Sequence, residues 1–176
     1  EAMVGMQNGC ICCTLQTDLV EQIIGLVQKK KFTHILIEAS GVSEPHEIAP
    51  LFEVEEHDHE HEGEDAAECE PSEKPQLGEV SRIDTCVTVI DAAEFYNNLG
   101  SMEQFESGEA EGTIAELMME QVEFSNIVVL NKTDLVDEEQ QLDILDRIAI
   151  LNPRVKVLKS YQSKIDVMEI LNTRLY

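Results

Sequence analysis

Asn126-Ile127-Val128-Val129-Leu130-Asn131-Lys132-Thr133-Asp134 is a run of apolar, β-favouring residues that stops abruptly on four polar ones. Four consecutive branched aliphatic side chains leave no polar face. That is the pattern of a strand covered on both sides, and such strands belong to parallel sheets. In parallel α/β sheets ligands bind beyond the carboxyl ends of the strands. The polar tetrad therefore falls where a ligand would be met.

On either side of this run, strands and helices alternate. Apolar residues at helical spacing (Leu15, Leu19, Ile23, Leu26, Val27) predict a helix over 15–30. A β-rich run over 32–37 leads into Glu38 and predicts a second strand buried on both faces. A loop over 39–45 and a short helix over 46–52 follow. Residues 83–90 predict a strand ending at Asp91, and 94–99 a helical turn. The polar, Gly-bearing stretch 101–112 predicts a loop. Helices are expected over 113–124 and 137–150, a strand over 155–158, and a last helix over 165–171. A short strand is expected over 3–9, before the cysteines. This alternation is that of an α/β fold with a mostly parallel sheet and flanking helices.

The tetrad has a specific chemistry. Guanine offers a carbonyl acceptor beside two N–H donors. A fixed carboxylate such as Asp134 can accept from both donors, and an amide such as Asn131 can donate to the acceptor edge. The stem of Lys132 can lie over the base. The plainer alternative is a helix cap, with Asp134 or Asp137 at the N-cap.

Gly9-Cys10-Ile11-Cys12-Cys13 places three of the five cysteines within four positions, at a predicted strand-to-helix junction. As thiolates they form a soft-ligand cluster suited to zinc, cuprous copper or another thiophilic ion. Three ligands leave a tetrahedral ion one open position, which suits loading and release. The alternatives are small buried hydrophobes or redox chemistry, the latter without a thioredoxin-like CxxC. Glu38-Ala39-Ser40-Gly41 is a weaker signal. A carboxylate at a strand end can hold a magnesium-bound water or orient an attacking one, and a glycine can let backbone N–H groups approach a terminal phosphate.

The net charge of −24 argues against nucleic acid and anionic membrane surfaces as partners. Twelve of the 36 acids lie between Glu53 and Glu79, where Lys74 is the single basic residue. This acidic segment carries His57-Asp58-His59-Glu60-His61, in which imidazoles alternating with carboxylates can chelate zinc, nickel or cobalt weakly. It is read as a mobile insert at about 54–80, with a solvated tether as the plain alternative. Cys69 lies within it. His34 and His46 read as structural residues, and Cys86 as core. No apolar run is long enough to span a bilayer. An odd number of cysteines with three crowded together fits a reducing, cytoplasmic setting better than a disulfide framework.

Four stretches together, Gly9–Leu15, Ile37–Pro45, Val89–Ala92 and Asn131–Asp134, occur in the order and rough spacing of the CobW family of P-loop GTPases, which this chain resembles. The resemblance implies a P-loop NTPase-like fold and a metallochaperone that inserts or allocates zinc or cobalt. It implies that Cys10, Cys12 and Cys13 bind the transferred metal. By the same resemblance Glu38 and Gly41 form the phosphate- and magnesium-sensing switch, and Asn131, Lys132 and Asp134 read guanine. The implied cofactors are GTP, Mg2+ and Zn2+ (or Co2+), and the implied partner is a client metalloprotein. The histidines of the insert, His57, His59 and His61, resemble those of metal-handling members. The family's Gly-rich phosphate loop and small C-terminal domain are not among these residues. The expectation is therefore a partial G domain over 1–176, incomplete at its N-terminus, with GTP hydrolysis by this chain left open. The competing expectation is a non-hydrolytic metal-binding or buffering module. Whether the chain forms a homo-oligomer is not read from the sequence.

Overall fold

The fold is seen in a computed structural model that describes residues 4–5, 13–53, 76–107 and 110–176. Side chains of 13–16, 105–107 and 110–111 are outside that description. In chain order the elements are α1 (Cys13–Gln28), α2 (Pro45–Ile48) running into a 3-10 turn (Ala49–Phe52), α3 (Leu77–Val80), β1 (Val87–Asp91), α4 (Phe95–Leu99), β2 (Gln104–Ser107), β3 (Ala110–Thr113), α5 (Ile114–Phe124), β4 (Ile127–Asn131), α6 (Glu138–Leu151) and β5 (Lys156–Lys159).

β1, β4 and β5 form a parallel sheet in the order β1-β4-β5, so the expected parallel α/β class is met. β4 is the middle strand, and Ile127, Val128, Val129 and Leu130 are all buried. Full burial of such a side chain contributes roughly 1.5–3 kcal/mol. Covered faces and two parallel neighbours explain the unbroken apolar run. On one face Val128, Leu130 and Ile90 pack against Met118 and Val122 of α5 and Ile144 and Ile148 of α6. A second cluster joins Leu19, Ile23 and Ile24 of α1 to Leu77 of α3, with Ile48, Leu51 and Phe52 against it.

The helices flanking β4 start as their sequences dictate. Thr113 caps α5 by accepting from the Glu116 N–H at 3.2 Å, while the Glu116 carboxylate accepts from the Thr113 N–H at 2.8 Å. Asp137 and Gln140 make the same reciprocal pair at the start of α6, at 2.8 and 3.1 Å.

Several expectations fail. The predicted strand over 32–37 is not a strand: residues 34–40 have no regular structure, and Leu36 is 81% exposed. A strand exists through its ladder, and among the described residues none pairs with this one. Val87 and Val89, on the face of β1 turned from the helical core, are likewise exposed. The predicted loop over 101–112 contains an antiparallel hairpin, with Gln104 opposite Thr113 and Ser107 opposite Ala110. The predicted last helix is a single 3-10 turn (Val167–Glu169), because Val167 and Met168 find no apolar cover and one turn is too short to sustain itself. The strand expected over 83–90 enters the ladder only at Val87. Residues 76–80, expected within the mobile insert, are ordered: α3 carries a Gln76–Glu79 capping box and Leu77 is buried. Of the expected strand over 3–9 only residues 4–5 are described, without regular structure, and most of the insert lies outside the described residues.

Candidate functional site

The parallel register sets Asp91, the last residue of β1, beside Asn131, the last residue of β4. The Ala92 N–H donates to the Asn131 carbonyl at 2.9 Å, tying the two strand exits together. Lys132 then takes a left-handed conformation (φ 59°, ψ 32°), which turns the chain sharply off the strand into a 3-10 turn (Thr133–Leu135). A lysine there is strained relative to glycine. Its ammonium donates to Asp91 Oδ2 at 2.5 Å, which holds the turn against the neighbouring strand. Burial would raise the Asp91 carboxyl, but hydrogen bonds from Lys132 and from the Ala93 N–H outweigh it and hold it below the usual range. The Lys132 ammonium is pushed up by the same pair.

The segment after β5 braces the turn. Thr133 donates through both its N–H (3.1 Å) and its hydroxyl (2.9 Å) to the carbonyl of Ser160. Asn131 Oδ1 accepts from the Ser160 hydroxyl at 3.1 Å and the Ser163 N–H at 3.0 Å, and its Nδ2 donates to Ser163 Oγ at 3.1 Å. From α6, Gln141 donates to the Thr133 carbonyl at 2.9 Å and accepts from Lys159 at 3.0 Å. The amide of Asn131 is thus locked in orientation with one N–H uncommitted by these bonds. Asp134 is exposed and has no partner among the described residues. A fixed donor beside a free carboxylate, at a carboxyl rim, is a set that can bind a flat heterocycle by its edge.

Glu38 and Gly41 are also exposed. A Cβ built on Gly41 meets nothing within 4 Å. Residues 40–43 form a turn, with the Ser43 N–H donating to the Ser40 carbonyl at 3.0 Å. Gln121 of α5 donates to the carbonyls of Gly41 (3.2 Å) and Ser43 (3.1 Å). Thr88, near the start of β1, donates to the Gln121 carbonyl at 3.0 Å, so the residue that holds this turn is itself tied to β1. Among the described residues no hydrogen bond or ion pair joins Glu38 or Gly41 to Asn131, Lys132 or Asp134.

Cys10, Cys12, His57, His59 and His61 lie outside the described residues; Cys13 opens α1. Cys86 is half-buried, and burial pushes its thiol up to about 11. It stays protonated near neutral pH, in keeping with a packing role.

Sequence reasoning missed Ser160, Ser163 and Gln141. The signal for Ser160 was its place just after the strand neighbouring β4; nothing local marks Gln141. It also read His46 as structural. That imidazole lies between two carboxylates: Nδ1 against Glu120 of α5, and Nε2 3.2 Å from Glu44. His34 is exposed, 3.0 Å from the Thr33 hydroxyl.

Among the described residues no helix is long and apolar enough to cross a membrane. The chain is 37% identical over 188 aligned positions to the zinc-regulated GTPase metalloprotein activator 1 of Dictyostelium discoideum, an alignment covering 100% of this chain and 35% of that protein. It is 25% identical over 178 positions to the protein of the same name from Schizosaccharomyces pombe, covering 100% of this chain and 36% of that one. It is also 25% identical over 157 positions to the zinc chaperone CobW of a Sinorhizobium species, covering 84% of this chain and 39% of that protein. The chain therefore spans a little over a third of the length of these curated relatives. No solved structure matches it. The family model for the CobW/HypB/UreG nucleotide-binding domain matches residues 1–159, and the chain belongs to that family.

Proposed function

We propose that the chain is the guanine-nucleotide-binding part of a metallochaperone that carries zinc to client metalloproteins, with GTP hydrolysis coupled to metal release. The observation that carries this reading is the braced turn after β4. Asn131 is held in one orientation by Ser160 and Ser163, Lys132 is pinned to Asp91, and the Asp134 carboxylate is left free. Those residues fit the edge of guanine: Asp134 accepts from its two donors, Asn131 donates to its carbonyl, and the Lys132 stem covers its face. The relatives' names, which speak of zinc, GTPase and metalloprotein activation, support the same reading.

Cys10, Cys12 and Cys13 are the proposed cargo ligands, and three thiolates suit zinc, with cobalt as a second ion they would accept. His57, His59 and His61 are proposed as weaker auxiliary ligands. Bound GTP with Mg2+ would supply a terminal phosphate whose presence or loss reports the stage of the cycle. Glu38 and Gly41 are proposed to sense it. Their segment is anchored through Gln121 and joins no ladder among the described residues, so it can shift without breaking the sheet.

The test is zinc titration of the chain without nucleotide and with GTP, GDP or ATP. GTP, and not ATP, is expected to change zinc affinity, and Asp134→Asn to weaken that effect. Identical zinc affinity in every condition, with no GTP turnover, would instead support a non-hydrolytic metal buffer. Replacing Cys10, Cys12 and Cys13 by Ser is expected to remove one tightly bound zinc ion; unchanged stoichiometry would move the cargo site to the histidine insert.

A further inference from the structure

We propose that Glu44, His46 and Glu120 form a second divalent-metal site, separate from the cysteines, that takes zinc or a similar borderline cation and fastens the segment after Gly41 to α5. The zinc ligands of the proposed function are the thiolates and the histidines of the insert. This site uses neither.

The three residues come from two elements. Glu44 and His46 flank Pro45, which opens α2, and Glu120 lies on α5, 74 positions along from His46. One ligand atom from each lies within 4.8 Å of the other two. Zinc holds nitrogen and carboxylate oxygen at about 2.0–2.2 Å, which sets tetrahedral ligands roughly 3.3–3.5 Å apart. Small rotations of three side chains, all at least partly open to solvent, close that gap. The neutral imidazole takes the ion on its unprotonated ring nitrogen and keeps the N–H on the other. The ion then holds one ring nitrogen and one oxygen from each carboxylate, with a fourth position open. The other ring N–H stays available to a carboxylate oxygen, an arrangement that fixes a ligating imidazole.

Charge favours a divalent ion here. Glu44 and Glu120 bring two carboxylates to one imidazole, and Glu47 stands next to His46 on the same short helix. A divalent cation with neutral imidazole balances the pair.

The position gives the site a consequence. Gln121, adjacent to Glu120, holds the carbonyls of Gly41 and Ser43. A metal shared by Glu120 and the Glu44–His46 pair would reinforce the existing His46–Glu120 contact between α5 and this segment, and its loss would loosen the segment. Occupancy would therefore set how readily residues 38–43 move.

The experiment uses the full chain with Cys10, Cys12, Cys13 and Cys69 changed to Ser and His57, His59 and His61 changed to Ala. Zinc is titrated calorimetrically, and cobalt is used as a spectroscopic probe. A single zinc ion is expected to bind, with a cobalt spectrum lacking thiolate charge-transfer bands. His46→Ala, and separately Glu120→Gln, should weaken binding by more than the roughly 10–100-fold that loss of an outer-shell partner costs. Circular dichroism checks that each variant is folded, and Glu120→Gln preserves side-chain volume. No zinc binding in the starting background, or unchanged affinity in both variants, would overturn the proposal and leave an ion pair. Failure of the cysteine site would show separately, as tight zinc binding insensitive to Cys10, Cys12 and Cys13.

Discussion

Asp134 and Asn131 sit in the same turn and have opposite structural weight. Asp134 has no partner to lose among the described residues, so Asp134→Asn should leave the melting temperature unchanged. It should weaken guanine-nucleotide binding by about 1.5–3 kcal/mol, the usual worth of hydrogen bonds to a charged group. Asn131→Ala should do both kinds of damage, since the Ser160 hydroxyl and the Ser163 N–H lose their acceptor. Calorimetry and thermal melting on the two variants separate these outcomes; a large melting shift in Asp134→Asn would show that the carboxylate is structural. Cys86 gives a third residue-scale test. With its thiol pushed up to about 11 by burial, only about one molecule in ten thousand is thiolate at pH 7. In a chain whose other cysteines are Ser, iodoacetamide should label Cys86 far more slowly than a free peptide thiol. Fast labelling would contradict the burial. The polar tetrad at the end of β4 was legible as a strand exit because its residue types and position are local. Its braces were not, because Ser163 and Gln141 acquire their roles only when β5 and α6 pack beside β4.

Elements with an internal signal were read well. The covered run of β4, the helical spans of α5 and α6 and the apolar stripe of α1 each carry their pattern within a few residues. Elements that depend on a partner were misread. The apolar run over 32–37 had the composition of a buried strand but has no described neighbour to ladder with. The β2–β3 hairpin was hidden by its glutamates, although Gly108-Glu109 gives the two-residue, Gly-bearing spacing such hairpins favour. One long-range element contact is testable by itself. The amide of Asn152, just past α6, lies 3.0, 3.1 and 2.8 Å from the carbonyl oxygens of Val122, Glu123 and Ser125 at the end of α5. Asn152→Ala leaves those carbonyls without this donor and should cost about 1–3 kcal/mol in urea unfolding. No change in the midpoint would mean that water replaces the amide without loss.

At the scale of the whole molecule, the chain's end is tied back to the entrance of the sheet by one carboxylate. Asp84 accepts from the Arg174 N–H at 2.9 Å and the Thr173 N–H at 3.0 Å, while its own carbonyl accepts from Leu175 and Tyr176 at 3.1 and 3.2 Å. The Arg174 N–H is the main cause holding the carboxyl below its ordinary value; burial opposes it, and Thr173 and Thr85 add to it. Because the folded value is depressed, the stability it contributes is complete above the unfolded carboxylate value of about 3.9 and is lost as pH falls through the folded one. The stability gap between wild type and Asp84→Asn should thus be widest near neutrality and close below about pH 4. A gap independent of pH would refute the assignment. The proposed link between the turn after β4 and the metal is the broadest claim and the one furthest from local sequence, since Gly41 is bonded to α5 while Asn131 stands at a strand exit. It is tested most directly by zinc affinity measured on the same chain with GTP, with ATP and with no nucleotide. The account predicts a shift with GTP alone, diminished in Asp134→Asn; equal affinity in all three conditions would contradict it.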